Sequence, residues 1–337
     1  MSFARKPSLL CWLCQSRAFS TSYRRLAEQA TMITTTTTKP AKISTTPSAP
    51  PPPPKKFIPA SPLENAPRSY GKRLEEFTPT PLSRPIGLPY PPQPGQNTGL
   101  DFRTMRQRRD DFVNIDKHLQ RREELKNKIS RPYFRDWGNL QWHKGKTFIA
   151  PPRLFRGDLS LYFPNLYGTT LLKDDGEPRD TTPTLQGRVS VVSVFSSRWA
   201  DDQTKTFASR QHNPELAALL EAHTDRGAQA VRINVEEDAM KALLIRLFMG
   251  GLRREVGEPN WDKYFVVRKG VSDEIREAIG LLNSKVGYVY LVDAECRIRW
   301  AGSGLSEDHE RESLVKSVQR LLEEGKKEEK GKKKEIL

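Results

Sequence analysis

The chain has 337 residues, with 56 Lys and Arg against 41 Asp and Glu, and three cysteines. Almost all of the excess positive charge lies before residue 150 and residues 151–322 are close to neutral, which excludes a uniformly basic nucleic-acid-binding globule and with it DNA as a partner. Cys11, Cys14 and Cys296 are too few and too scattered for a disulfide scaffold, and the sequence lacks the run of about 18 apolar residues that crosses a bilayer as a helix.

Residues 1–26 read as a mitochondrial presequence. They combine Arg5, Lys6, Arg17, Arg24 and Arg25 with many Ser and Thr and the apolar Leu9, Leu10, Trp12 and Leu13, and no acid precedes Glu28. Cys11 and Cys14 fall inside this leader and are expected to leave with it. Residues 27–100 are rich in Pro and Thr and hold most of the 26 prolines, so they read as a disordered linker of polyproline character.

The pattern changes at residues 101–145. Met105, Phe112, Val113, Ile115, Leu119, Leu125 and Ile129 are spaced among arginines and lysines, which predicts a basic amphipathic helix stopped by Pro132 and followed by an aromatic connector. Cations and interfacial aromatics suit an anionic membrane surface, and Arg106, Arg109, Arg121, Arg122, Lys126, Trp137 and Trp142 are the expected membrane contacts. Two other readings stand beside it: a helix docked on the domain by its apolar stripe, and an RNA-contact arm stacking bases on its aromatics.

Residues 146–322 read as one folded domain. Residues 159–172 suggest two extended segments around a Pro164–Asn165 turn. Residues 189–195 form a β-branched run typical of a strand covered on both faces. Asn213 and Pro214 cap a helix through Leu216 and Leu220; residues 231–235 are a second strand; residues 238–249 are a helix ended by Gly250 and Gly251. Residues 264–267 are a third apolar stretch, Ser272 caps a short helix, and residues 287–292 and 298–301 make a hairpin turned at Asp293 to Arg297. A final helix follows Gly304, and residues 323–337 form a Lys/Glu tail expected to be disordered.

That order is the order of an α/β, thioredoxin-like domain. Its usual chemistry needs a thiolate after the first core strand, at the start of the next helix. Here that stretch reads Phe195, Ser196, Ser197, Arg198, Trp199, and no proline precedes the hairpin in residues 284–287. Cys296 stands alone in a hairpin turn beside Glu295, which raises its pKa. The domain therefore reads as thioredoxin-like but lacking redox cysteines. The five histidines have no zinc-ligand spacing, and no catalytic set, metal or cofactor is expected.

Residues 145–156, the run Tyr162, Phe163, Pro164, Asn165, Leu166, Tyr167, Gly168, Thr169, Thr170, Leu171, and residues 287–293 with 298–302 resemble the mitochondrial ATPase complex subunit ten type of assembly factor. The resemblance covers roughly residues 100–322. It implies import into the matrix, peripheral attachment to the inner membrane, and a chaperone without enzyme activity. Such a chaperone helps assemble the Fo sector of ATP synthase by binding newly made subunit 6 before it joins the subunit 9 ring. For that role Tyr162, Phe163, Pro164, Asn165, Leu166, Tyr167 and Trp199 are the expected partner contacts. A thioredoxin- or peroxiredoxin-like redox protein and an RNA-associated protein using residues 101–150 are the alternatives.

Overall fold

The structure, a computed structural model, describes residues 62–335 apart from 71–72, 102, 131, 133 and 174–175. The presequence reading, with Cys11 and Cys14, lies outside the described residues, as does the linker up to residue 61.

Residues 62–100 overturn the expectation of a spacer running to residue 100. They form a strap without regular structure whose Leu63, Leu82, Ile86 and Leu88 are buried against the domain. Leu82 N donates to Ile149 O and Ile149 N to Thr80 O, both at 3.0 Å, and Leu88 exchanges two 2.8 Å bonds with Tyr162. Gly87, at φ +142°, passes so close to Leu161 that a Cβ would sit 2.8 Å from the Leu161 Cβ. Proline denies this segment a ladder of its own, but scattered apolar side chains and single backbone bonds to a partner suffice to fix it.

Two helices follow, α1 (Met105–Val113) and α2 (Ile115–Ser130), where one was expected; extended backbone at Asn114 separates them. Met105, Phe112, Val113, Ile115, Leu119 and Leu125 are all exposed, so the reading in which this stripe docks on the domain does not hold. A short helix α3 (Arg135–Asn139) leads back to the core at Phe148.

The core is a seven-stranded sheet. Its strands are β1 (Tyr167–Thr170), β2 (Arg179–Asp180), β3 (Val189–Phe195), β4 (Ala228–Val235), β5 (Tyr264–Val267), β6 (Tyr288–Val292) and β7 (Ile298–Ser303), in the order β2-β1-β5-β4-β3-β6-β7. Strand β3 pairs parallel with β4 and antiparallel with β6, and β6 pairs antiparallel with β7. This β4-β3-β6-β7 arrangement is the thioredoxin-like core, widened by β5, which runs parallel to β4, and by antiparallel β1 and β2. Of the two extended segments expected in residues 159–172 only the second becomes a strand; the first is held by isolated bridges at Tyr162.

The helices between them are α4 (Thr182–Leu185), α5 (Arg198–Ala208), α6 (Pro214–Ala222), α7 (Ala239–Leu247), α8 (Met249–Val256), α9 (Asp273–Ala278) and α10 (Asp308–Glu335). Side chains of β3 alternate between two cores. Val192 and Val194 join Phe148, Phe163, Tyr290 and the strap, whereas Val191 joins Phe207, Leu216, Trp300 and Leu314 under α5, α6 and α10. A sheet covered on both faces needs a continuous apolar strand, which is what residues 189–195 supply. Two helix ends differ from expectation. The glycines at 250 and 251 lie inside α8, which ends at Gly257, and α10 runs through the Lys/Glu segment to Glu335 instead of ending near residue 322. No helix among the described residues is long and apolar enough to cross a membrane.

Candidate functional site

The site is built where β3 ends and α5 begins, the place of the attacking thiol in thioredoxin-like domains. Ser197 caps α5, its Oγ accepting from Ala200 N at 3.2 Å, and Ser196 faces the loop that precedes β6. Ser196 Oγ donates to the Ser284 carbonyl. Ser284 Oγ in turn donates to Asp136 Oδ2 at 2.6 Å, and Asn283 Nδ2 to the Asp136 carbonyl at 3.0 Å, so α3 is pinned beside the loop. Hydroxyls and a carboxylate thus occupy the redox position, and no histidine stands among them to serve as a base.

Among the described residues the one cysteine is Cys296, buried in the hairpin turn. Burial pushes its thiol up to about 11, and Asp293 and Glu295 push the same way. A thiol so held is a poor nucleophile at neutral pH. No group of His, Cys, Asp and Glu among the described residues is arranged to hold a metal.

Beside Ser196 and Ser197 opens a groove of about 880 Å³ whose exposed lining is mostly apolar, although Arg198, Asp201, Glu236, Lys241, Glu255 and Lys285 line it too. Phe195, Tyr264 and Asn234 line it from the sheet, Leu244, Ile245, Phe248 and Leu252 from α7, α8 and the cap between them, and Trp199 and Trp137 from α5 and α3. Trp199 is 51% exposed and Phe248 69%, unusual for side chains of this size next to a packed domain. Arg232 stiffens the sheet side. Its guanidinium lies 5.4 Å from the Phe195 ring and 5.2 Å from that of Tyr264, with Asp201 Oδ1 2.5 Å from its Nη2. Burial pushes the Tyr264 phenol up to about 12, while Lys205, 2.9 Å away, holds the Glu255 carboxyl below its ordinary value. Asn234 Oδ1 is buried without a hydrogen-bond partner and offers an acceptor within the apolar walls.

The residues expected as partner contacts divide here. Phe163, Pro164, Asn165 and Leu166 are buried, which corrects their reading as a surface: Phe163 packs on Tyr290 with ring centroids 5.6 Å apart, and the Asn165 side chain is consumed by Gln96 O, Asp180 and Thr182. Tyr162 and Tyr167 are half-buried and lie away from the groove. Trp199 lines it. Of the expected membrane contacts, Arg106, Arg109, Arg121, Arg122 and Lys126 are exposed on α1 and α2, Trp137 joins the groove with Lys285 Nζ 5.6 Å from its ring, and Trp142 is half-buried.

Sequence reasoning missed the wall of α7. Met240, Leu243, Leu244, Leu247 and Phe248 recur at i, i+3, i+4, i+7 and i+8, a clean helical stripe, yet all five are exposed and it is Ala242 that is buried. The spacing was visible. What it could not reveal is that the core is satisfied by the opposite face of the same helix.

The family model described as ATP10 protein matches residues 66–321. "Mitochondrial ATPase complex subunit ATP10" of Eremothecium gossypii is 31% identical over 72% of this chain and 85% of its own length. The protein of the same name from Saccharomyces cerevisiae is 30% identical over 71% of this chain and 86% of its own. Among solved structures, a secreted thiol-disulfide isomerase from Corynebacterium glutamicum is 12% identical with a TM-score of 0.34, covering 53% of this chain and 99% of that one. A DsbF homologue from Corynebacterium diphtheriae is 14% identical with a TM-score of 0.33, covering 50% and 91%. The fold assignment rests on the strand order; the sequence match, which spans most of the strap, the sheet and the first half of α10, shows that the chain belongs to the ATP10 protein family.

Proposed function

We propose that this protein is a non-catalytic assembly factor for the Fo sector of mitochondrial ATP synthase. It holds newly made subunit 6 at the matrix face of the inner membrane until the subunit 9 ring arrives. The observation that carries this reading is the apolar groove between Trp199 and the α7–α8 wall, opened at the position where the fold otherwise performs thiol chemistry. A newly inserted membrane subunit exposes helix faces that aggregate unless masked, and a rigid apolar groove masks one by the helix-in-groove mode. The names of the family relatives, which place them with the mitochondrial ATPase complex, support the choice of client.

Photocrosslinkers placed at positions 199 and 248, with a control at exposed Glu312 on α10, test it in isolated mitochondria during labelled translation. The expected adduct is subunit 6 from the groove positions and not from the control. Capture of other translation products without subunit 6 overturns the reading.

A further inference from the structure

The stripe on α7 has two flanks. Leu244 and Phe248 turn into the groove, while Met240, Leu243 and Leu247 form a crest that lines none of the pockets described and stays more than half exposed. On the far flank lies a second cleft, of about 360 Å³, between α7, α8 and the edge of β1 and β5. Arg246, Arg253, Arg268 and Lys173 line it, and no described lining residue is a carboxylate. Asp174 and Asp175, next to Lys173, lie outside the described residues.

Arg253 is committed, donating to the Leu171 and Leu172 carbonyls at 2.6 and 3.1 Å. Arg246 and Arg268 make no hydrogen bond or ion pair with a described residue. Two unpaired guanidiniums beside an exposed apolar crest match the phosphodiester oxygens of a lipid surface.

We infer that α7 seats this protein on an anionic bilayer: the crest of Met240, Leu243 and Leu247 enters the interface, and Arg246 and Arg268 meet the lipid phosphates. Apolar side chains facing out with Arg246 and Arg268 at their border fit that surface, the carboxylates Glu237 and Asp238 lying at the N-terminal end of α7. The arm of α1 and α2, the expected membrane contact by sequence, fits it less well. Arg103 is bonded to Asp101 and Asp111, Lys117 to Asp111, and Arg109 lies 3.4 Å from Asp110. On α2, Arg122 and Lys126 fall in the same angular sector as Ile115 and Leu119 and break the apolar line. The inference rests on the proposed function only for the presence of a membrane.

Flotation of the full chain with vesicles of four parts phosphatidylcholine to one part cardiolipin, and of phosphatidylcholine alone, is the test. Binding to the anionic vesicles only is expected, weakened about fivefold by Arg246→Ala and again by Arg268→Ala, and unchanged by Arg121→Ala with Arg122→Ala. With the emission of the parent chain and its six tryptophans subtracted, Leu247→Trp, which keeps the crest apolar, should add a blue-shifted component quenched by brominated lipid. Equal binding to neutral vesicles, an unshifted emission from the Leu247→Trp chain, loss only in the arm variant, or self-association through α7 without vesicle binding each overturns it. Running the position-199 crosslink on the unsubstituted and the Arg246→Ala, Arg268→Ala chains separates the two readings. Failure of the unsubstituted chain to float, with its capture of subunit 6 intact, removes the lipid inference alone, and flotation without capture removes the client reading alone.

Discussion

Ser196 donates its hydroxyl proton to the Ser284 carbonyl, closing with one hydrogen bond the gap across which a thioredoxin-like domain exchanges disulfides. The bond is structural and local. Ser196→Ala should therefore cost about 1 kcal/mol in chemical denaturation and leave ATP synthase assembly intact. Ser196→Cys should give no turnover in an insulin-reduction assay, because no resolving thiol lies nearby among the described residues.

Lys146 and Glu310 form the joint between the strand-like segment entering the domain and the first turn of α10. Lys146 Nζ lies 2.6 Å from Glu310 Oε2, and Glu310 Oε1 accepts from Ala150 N at 2.8 Å. Both side chains are almost wholly buried. Glu310→Ala leaves the buried Lys146 ammonium with the Leu305 carbonyl at 2.9 Å and the more exposed Glu307 carboxylate at 3.4 Å, and leaves the Ala150 amide without its acceptor, so a loss of about 3 kcal/mol in urea unfolding is expected. Lys146→Met with Glu310→Leu should recover most of it, since a pair removed together leaves no charge uncompensated.

Asn165 is a clamp and not a contact surface. Its Nδ2 donates to Gln96 O at 2.9 Å and to Asp180 Oδ1 at 2.6 Å, and its Oδ1 accepts from Thr182 Oγ1 at 2.7 Å, all beneath the surface. Asn165→Ala should lower stability by about 3 kcal/mol and speed proteolytic cleavage within residues 93–100, which lose their anchor. Asn165→Asp should be worse, because it sets a second carboxylate against Asp180.

Cys296 makes alkaline stability asymmetric. Its thiol titrates near 11 in the folded chain against 9.0 ordinarily, because burial disfavours the thiolate. An acid whose folded pKa is raised gives stability that is complete below its unfolded pKa and is lost as pH rises through the folded value. Unfolding free energy should therefore fall from about pH 9 to about pH 11, and more steeply than in Cys296→Ala. Cys296 should also resist iodoacetamide in the folded chain at neutral pH, with its labelling appearing only on addition of denaturant.

Much of the sheet was legible because its signals are local. The β-branched run of β3, the Asn213–Pro214 cap and the Ser272 cap act within a few residues, and each appears in place: Asn213 Oδ1 accepts from Leu216 N at 3.1 Å, Ser272 Oγ from Ile275 N at 3.3 Å. The strap was not legible. Leu63, Leu82 and Ile86 have no periodicity, and what orders them is a core more than sixty residues away. Orientation failed for a related reason. Aromatic and apolar residues in the Tyr162 to Tyr167 run suit a contact surface and a core equally well, and only the closure of Phe163 on Tyr290 decides between them. The lost thiol was readable at once, since it is a matter of residue identity; the groove beside it was not, since its two walls are Trp199 and residues forty-five and more positions later.

The crossover that carries α7 is fixed at both ends in neighbouring parallel strands, Val235 opposite Val267, with Glu236 N bonded to Val267 O at 2.9 Å. Such an element does not swing on a hinge. Whatever the α7 crest touches, the sheet must tilt with it, so the azimuth of the Trp199 groove relative to that surface is set once, by the register of two strands. With α7 on a bilayer as inferred, capture of the proposed client would be a search in two dimensions by a receptor that always arrives the same way up.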